Sequence, residues 1–116
     1  MKRIKLDICN GLMAEAITRM LEHTEGFSVI REAGLPADVL LMETAYDAGF
    51  TLGECLTRAK LLRSRCPECK VILLCDENSA PELARQVAQA KKDGLIDDFV
   101  YSSVSESYLT ALLLAL

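Results

Sequence analysis

Apolar positions along this chain change their period several times. Leu12, Met13, Ala16, Ile17, Met20 and Leu21 recur at helical spacing, which predicts an amphipathic helix capped by Asn10 and closed by Gly26. Leu52, Cys55, Leu56, Ala59 and Leu62 predict a second helix, and Leu83, Val87 and Ala90 a third. The third has Ser79 or Ala80 near its cap, Pro81 in the first turn, where the missing N–H does no harm, and Gly94 at its end. Ser105 and Glu106 open a last helix that runs into "LTALLLAL". Between the helices lie short runs of strand character at Arg3–Ile8, Phe27–Ala33, Asp38–Glu43, Lys70–Cys75 and Asp97–Ser102. Asp38–Glu43 and Lys70–Cys75 are almost continuously apolar, as expected of strands covered on both faces.

Strands alternating with helices predict an α/β fold in which a mostly parallel sheet carries helices on both sides. No internal repeat or low-complexity linker interrupts the 116 residues, so one domain is expected to fill 1–116. In such sheets ligands sit beyond the carboxyl ends of the strands. Here those ends are Ile8–Asn10, Glu43–Tyr46, Cys75–Asn78 and Tyr101–Ser103.

Charge and cysteine content narrow the function classes. The net charge of −4 argues against direct nucleic-acid binding, which needs a basic face. The densest basic stretch, Arg58–Lys70, reads as a solvated helix face and its exit loop. No apolar run reaches the ~18 residues of a membrane helix, and the basic start has no apolar h-region. Five cysteines, an odd number, fit free thiols in a reducing cytoplasm. Cys66 and Cys69 form a C-x-x-C, but it falls at a helix exit rather than at the N-terminus that would activate a thiol. The pair has no second half with zinc spacing, and the one histidine, His23, reads as a solvent-facing residue near the end of the first helix. No glycine-rich phosphate loop is present.

Several segments together resemble the receiver domain of bacterial two-component response regulators, a five-stranded flavodoxin-like (CheY-like) fold. "KRIKLDICNGLMAEAITRMLE" is similar to that family's first strand and helix, and "GECLTRAKLLR" to its third helix. "ADVLLME" resembles its third strand, in which an aspartate and four apolar residues precede the phosphoacceptor. "CKVILLCDEN" resembles the fourth strand, and "DDFVYSSVSESYLTALL" the fifth strand and last helix. The resemblance places Glu43 at the phosphoacceptor position, Ile8, Cys9 and Asn10 where two acids normally help hold Mg²⁺, and Cys75 at the Thr/Ser position. It places Phe99 at the switch aromatic, Ser102 at the lysine position and Ser103 at the following proline.

All the usual catalytic positions are therefore altered. An apolar side chain and a thiol do not replace hard carboxylates, and Asp7 is one residue out of register, on the other strand face. A misplacement of about 1 Å, such as one extra methylene gives, costs on the order of 10²-fold in rate. Losing metal and lysine removes most of the charge stabilisation of phosphoryl transfer. A degenerate, pseudo-receiver follows, not an enzyme and without a Mg²⁺ cofactor, acting in signalling or transcription regulation by protein contact. Glu43 then either mimics a phosphorylated residue or is a polar remnant, with Asn10 and Ser102 as hydrogen-bond candidates.

The resemblance further implies a protein partner or homodimer through the family's fourth and fifth helices and fifth strand, with a histidine kinase as the upstream partner. DNA would be met only through a separate effector domain, with 1–116 as the N-terminal part of a longer regulator. Two other readings stay open: a working phosphoacceptor with unusual chemistry, and a small flavodoxin-like thiol sensor using Cys9, Cys75 or Cys66/Cys69. The spacer "GLPA" is too short for the family's helix between strands two and three. Either an extended link keeps strand one central, which is the favoured path, or Phe27–Ala33 forms a hairpin with the next strand.

Overall fold

The computed structural model describes residues 1–31, 35–45, 49–76 and 81–116. Nine elements follow one another: β1 (Lys2–Asp7), α1 (Gly11–Glu22), β2 (Phe27–Ile30), β3 (Val39–Thr44), α2 (Leu52–Arg65), β4 (Lys70–Cys75), α3 (Pro81–Lys92), β5 (Asp98–Tyr101) and α4 (Glu106–Ala115). The strands form one sheet in the order β2-β1-β3-β4-β5, and every pairing is parallel. β1 thus lies between β2 and β3, as the extended-link path requires. β2 lies on the outer edge beside β1, with Ile4 opposite both Val29 and Val39. The hairpin alternative fails because β2 and β3 are not neighbours. The expected second strand extends to Ala33, but β2 stops at Ile30, and residues 32–34 lie outside the described ones. The expected caps Ser79 and Ala80 also lie outside them.

Local chemistry explains the helix boundaries. The Asn10 side chain accepts from the amides of Leu12 (3.0 Å) and Met13 (3.2 Å), satisfying two orphan donors of α1. α1 itself ends at Glu22, earlier than Gly26, and His23 is its exposed C-cap. Thr51 caps α2 in a reciprocal arrangement: its hydroxyl accepts from Glu54 N–H and donates to Glu54 Oε1. α3 closes in a Schellman turn. Gly94 N–H donates to Lys91 O, Leu95 N–H donates to Ala90 O, and Gly94 takes a φ of +78° that favours glycine.

The sheet separates two cores. On one face Ile4, Phe27, Val39, Leu41, Ile72, Leu74 and Val100 pack against Ile17 and Leu21 of α1 and Leu109 and Leu113 of α4. On the other, Leu40, Met42, Val71, Leu73 and Cys75 pack against Cys55 and Ala59 of α2 and Leu83, Val87 and Ala90 of α3. Each fully buried Leu, Ile or Val contributes roughly 1.5–3 kcal/mol. The second core stops short at β1, where alternation turns Arg3, Lys5 and Asp7 to that face while Leu6 and Ile8 join the α1/α4 core. The described residues between β2 and β3 carry no helix.

The basic stretch corrects one expectation. Lys60 and Arg65 are exposed, but Arg58 reaches inward to Asp7 (2.7 Å), and Arg63 pairs with Asp97 while donating to the carbonyls of Gly94 and Leu95. These two arginines tie α2 to β1 and to the turn before β5. They are not a solvated face.

Candidate functional site

The carboxyl edge of the sheet gathers the residues that follow β1 and end β3, β4 and β5. Glu43, half-buried on β3, turns toward α1, and its Oε1 accepts the backbone N–H of Asn10 at 2.9 Å. The carboxylate therefore sits at the amino end of a twelve-residue helix, where the helix dipole favours negative charge. Asn10 contributes through its backbone, because its side chain is already committed to capping α1. Ser102 does not supply the second expected bond: its amide donates to Cys75 O at 2.9 Å, and its hydroxyl lines a cleft between α1 and α4.

Asp7 is where the one-residue shift predicts. Its carboxylate faces α2 and accepts from Arg58 Nε, while Arg58 also donates to Gly49 O and lies 5.3 Å over the Phe50 ring. Ile8 points to the opposite face, against the α1/α4 core. Cys9 is half-buried just before the α1 cap. Cys75 is buried among the α2 and α3 contacts. The strand-end residues Tyr46 and Asn78 lie outside the described ones.

Mg²⁺ requires a near-octahedral shell of oxygens, usually with at least one or two free carboxylates. Of the positions that the resemblance assigns to the ion, Ile8 offers no donor and Cys9 a soft sulfur. Asn10 has its carbonyl oxygen engaged by two amides, and Glu43 is held by a third. This donor set does not fit Mg²⁺. Among the described residues, no three His, Cys, Asp or Glu side chains are gathered as a metal site would need.

Phe99 is half-buried against the α2/α3 core, edge-on to Tyr101 at 6.4 Å between centroids, with the Lys91 ammonium 5.9 Å from its ring centre. Lys91 also pairs with Asp98 at 3.0 Å. Tyr101, Val104 and Tyr108 continue this surface from β5 onto α4, and both tyrosines are exposed.

The cysteines differ in burial and in their place on the elements. All five are free of disulfides. Burial pushes the thiols of Cys55 and Cys69 up to about 11, which keeps both protonated at neutral pH and unreactive. Cys66 is the C-cap of α2 and its thiol donates to Ala37 O, so it sits at the helix end that disfavours a thiolate.

Two features escaped the sequence reading. Thr44 is a buried polar residue whose hydroxyl donates to Phe50 O at 3.3 Å. Lys2 donates to the carbonyls of Leu113, Leu114 and Leu116, closing the last turn of α4 with an ammonium. The strict alternation "RIKLD" at Arg3–Asp7 was the available signal for the polar underside of β1.

No family model matches the sequence, and no curated protein matches it either. Solved structures do. The adenylate cyclase of Rhodopirellula baltica superimposes over 98% of this chain and 85% of its own, at 15% identity and a TM-score of 0.75. The BeF₃-activated DrrB receiver domain covers 99% of this chain and 96% of its own, at 16% identity and a TM-score of 0.73. The isolated REC domain of RcsB from Salmonella enterica serovar Typhimurium, with phosphomimetic BeF₃⁻, covers 98% of this chain and 86% of its own, at 19% identity and a TM-score of 0.71. No helix among the described residues is long and apolar enough to cross a membrane. Sheet order, parallel pairing and near-complete superposition together establish that this chain has the fold of response-regulator receiver domains.

Proposed function

We propose that residues 1–116 form a signalling domain of the receiver type that works through protein contacts and does not undergo Mg²⁺-dependent phosphorylation. The observation that carries this reading is the occupied edge: Glu43 is bound by the Asn10 amide, and Asp7, the nearest acid on β1, is turned away and held by Arg58. A metal-bridged phosphoryl group needs free oxygens and a cation there. This edge offers a carboxylate with one oxygen held by a backbone amide, and a serine in place of the cation.

Glu43 carries its negative charge at the start of α1 without a kinase, which favours a permanently set state over a switched one. The contact surface is the strip from Lys91 and Phe99 through Tyr101 to Tyr108, where two exposed tyrosines supply apolar area. A second copy or a protein partner fits this strip, and any contact with DNA is left to another domain.

Incubation with acetyl phosphate and Mg²⁺ followed by intact-mass measurement tests the inactive edge: the mass is expected to stay unchanged, and an adduct at Glu43 overturns the reading. Sedimentation of the chain with and without Tyr108→Glu tests the surface. Loss of self-association or of partner binding in the variant is expected, and unchanged association moves the interface elsewhere.

A further inference from the structure

Beside the edge, α1 and α4 diverge over a cleft of about 150 Å³ lined by Met13, Ala16, Ile17, Met20, Leu74, Ser102, Val104, Glu106 and Leu109. Its walls are mostly apolar, and Met13 and Met20 contribute to them two turns apart on the same side of α1. A cavity of roughly this size, when apolar, holds one benzene ring. Methionine sulfurs make favourable contacts with aromatic ring edges and adapt their shape to an occupant. Met20 is further fixed by Thr110, whose hydroxyl reaches its sulfur at 3.8 Å.

The mouth is different in kind. Ser102 and Glu106 are the polar side chains of the lining, and among the described residues neither side chain has a hydrogen-bond or ion-pair partner. Glu106, exposed in the first turn of α4, gives the opening one negative charge, and among the described residues no cation pairs with it. A neutral hydrocarbon would use the walls and leave the mouth unused. An anion would be repelled.

We propose that this cleft is a binding site for a small aromatic amine, its single ring between Met13 and Met20 and its ammonium at Glu106 and Ser102. The site goes beyond the contact-signalling reading and does not depend on whether Glu43 is phosphorylated. It places a ligand against α1, whose N-cap Asn10 carries the Glu43 contact, and at the start of α4, which carries Tyr108.

The test uses the full chain with labelled methionine methyl groups and three probes: benzylamine, toluene and benzoate. Benzylamine is expected to shift the Met13 and Met20 methyl resonances saturably, with a dissociation constant on the order of 1 mM, as burial of one ring allows. Toluene should bind about 2- to 5-fold more weakly, the measure of one exposed ion pair, and benzoate more weakly still. Ala16→Leu projects a larger side chain from an exposed helical position over the cleft, and should abolish the shifts while leaving the circular dichroism spectrum unchanged. Glu106→Gln should erase the preference for benzylamine over toluene. Absence of saturable shifts at the two methyls, shifts that survive Ala16→Leu, or equal affinity for benzylamine and benzoate each overturn the proposal. None of these outcomes bears on phosphorylation, so the two readings fail separately.

Discussion

The two faces of the sheet are built to different rules where they pass β1. Toward α1 and α4, β1 presents Ile4, Leu6 and Ile8, continuous with Phe27 and Val29 on one side and Val39 and Leu41 on the other. Toward α2, the same strand presents Arg3, Lys5 and Asp7, next to Ser28 on β2. The difference follows from coverage. A parallel strand packed on both faces reads as an apolar run, as β3 and β4 do. A strand with a helix on one face only must put water-compatible residues on the other. The described residues between β2 and β3 carry no helix, β1 is polar on this face, and two pairs of charges meet there: Arg3 with Asp38, and Asp7 with Arg58.

Breaking the covered face should cost most. Leu41 is fully buried between β1 and β4, and Leu41→Ala is expected to lower the unfolding free energy by about 2–5 kcal/mol in urea titration. A cost below about 1 kcal/mol would mean that this core is loosely packed and that the contrast between faces is overstated. Next comes the seam where the polar face meets α2. Arg58→Ala removes a half-buried ion pair, a bond to Gly49 O and the contact over Phe50, with an expected loss of about 1–2 kcal/mol. Asp7→Asn, which keeps shape and a hydrogen-bond acceptor, should cost less than Arg58→Ala; the reverse order would show that Asp7 does more than hold Arg58.

Lys5 gives the sharpest comparison because the expected effect is near zero. Among the described residues it has no ion-pair partner, and it stands on the polar face of β1, so Lys5→Val should change stability by no more than about 0.5 kcal/mol. Stabilisation well above that would reveal that something covers this face. At Asp38 the expected effect is small and depends on pH. The Arg3 guanidinium, by hydrogen bonding, holds the Asp38 carboxyl below its ordinary value of 3.8. A lowered carboxyl contributes stability above its unfolded-state value and loses it as pH falls through the folded-state value. Asp38→Asn should therefore flatten stability slightly between neutral pH and pH 3, and the difference should shrink in high salt because the pair is exposed. No change in slope would show that the pair is not populated in solution.

Much of this architecture was legible in the residues. The apolar run at Lys70–Cys75 coincides with β4, and Asn10, Pro81 and Gly94 mark helix ends by local chemistry alone. The four-residue spacer ruled out a crossover helix by length. What stayed hidden depends on partners far apart in the chain. Arg58 looks like one of several surface cations until Asp7, 51 residues away, is brought beneath it. Lys2 looks like a basic terminus until α4 arrives to be capped. At the edge, the altered residue types were plain, but that Glu43 would bond to the backbone of Asn10, leaving its side chain to cap α1, is a matter of three dimensions.

The alternating character of β1 also fixes how it can pair. If β1 slipped by a single residue against β2 and β3, two cations and a carboxylate would turn into the hydrocarbon beneath α1, and three aliphatic groups would turn outward into water. The apolar runs of β3 and β4 impose no such penalty, since either face of either strand suits either core. β1 thus acts as the alignment key for the strands on either side of it, because a shifted pairing of β2 or β3 carries this cost.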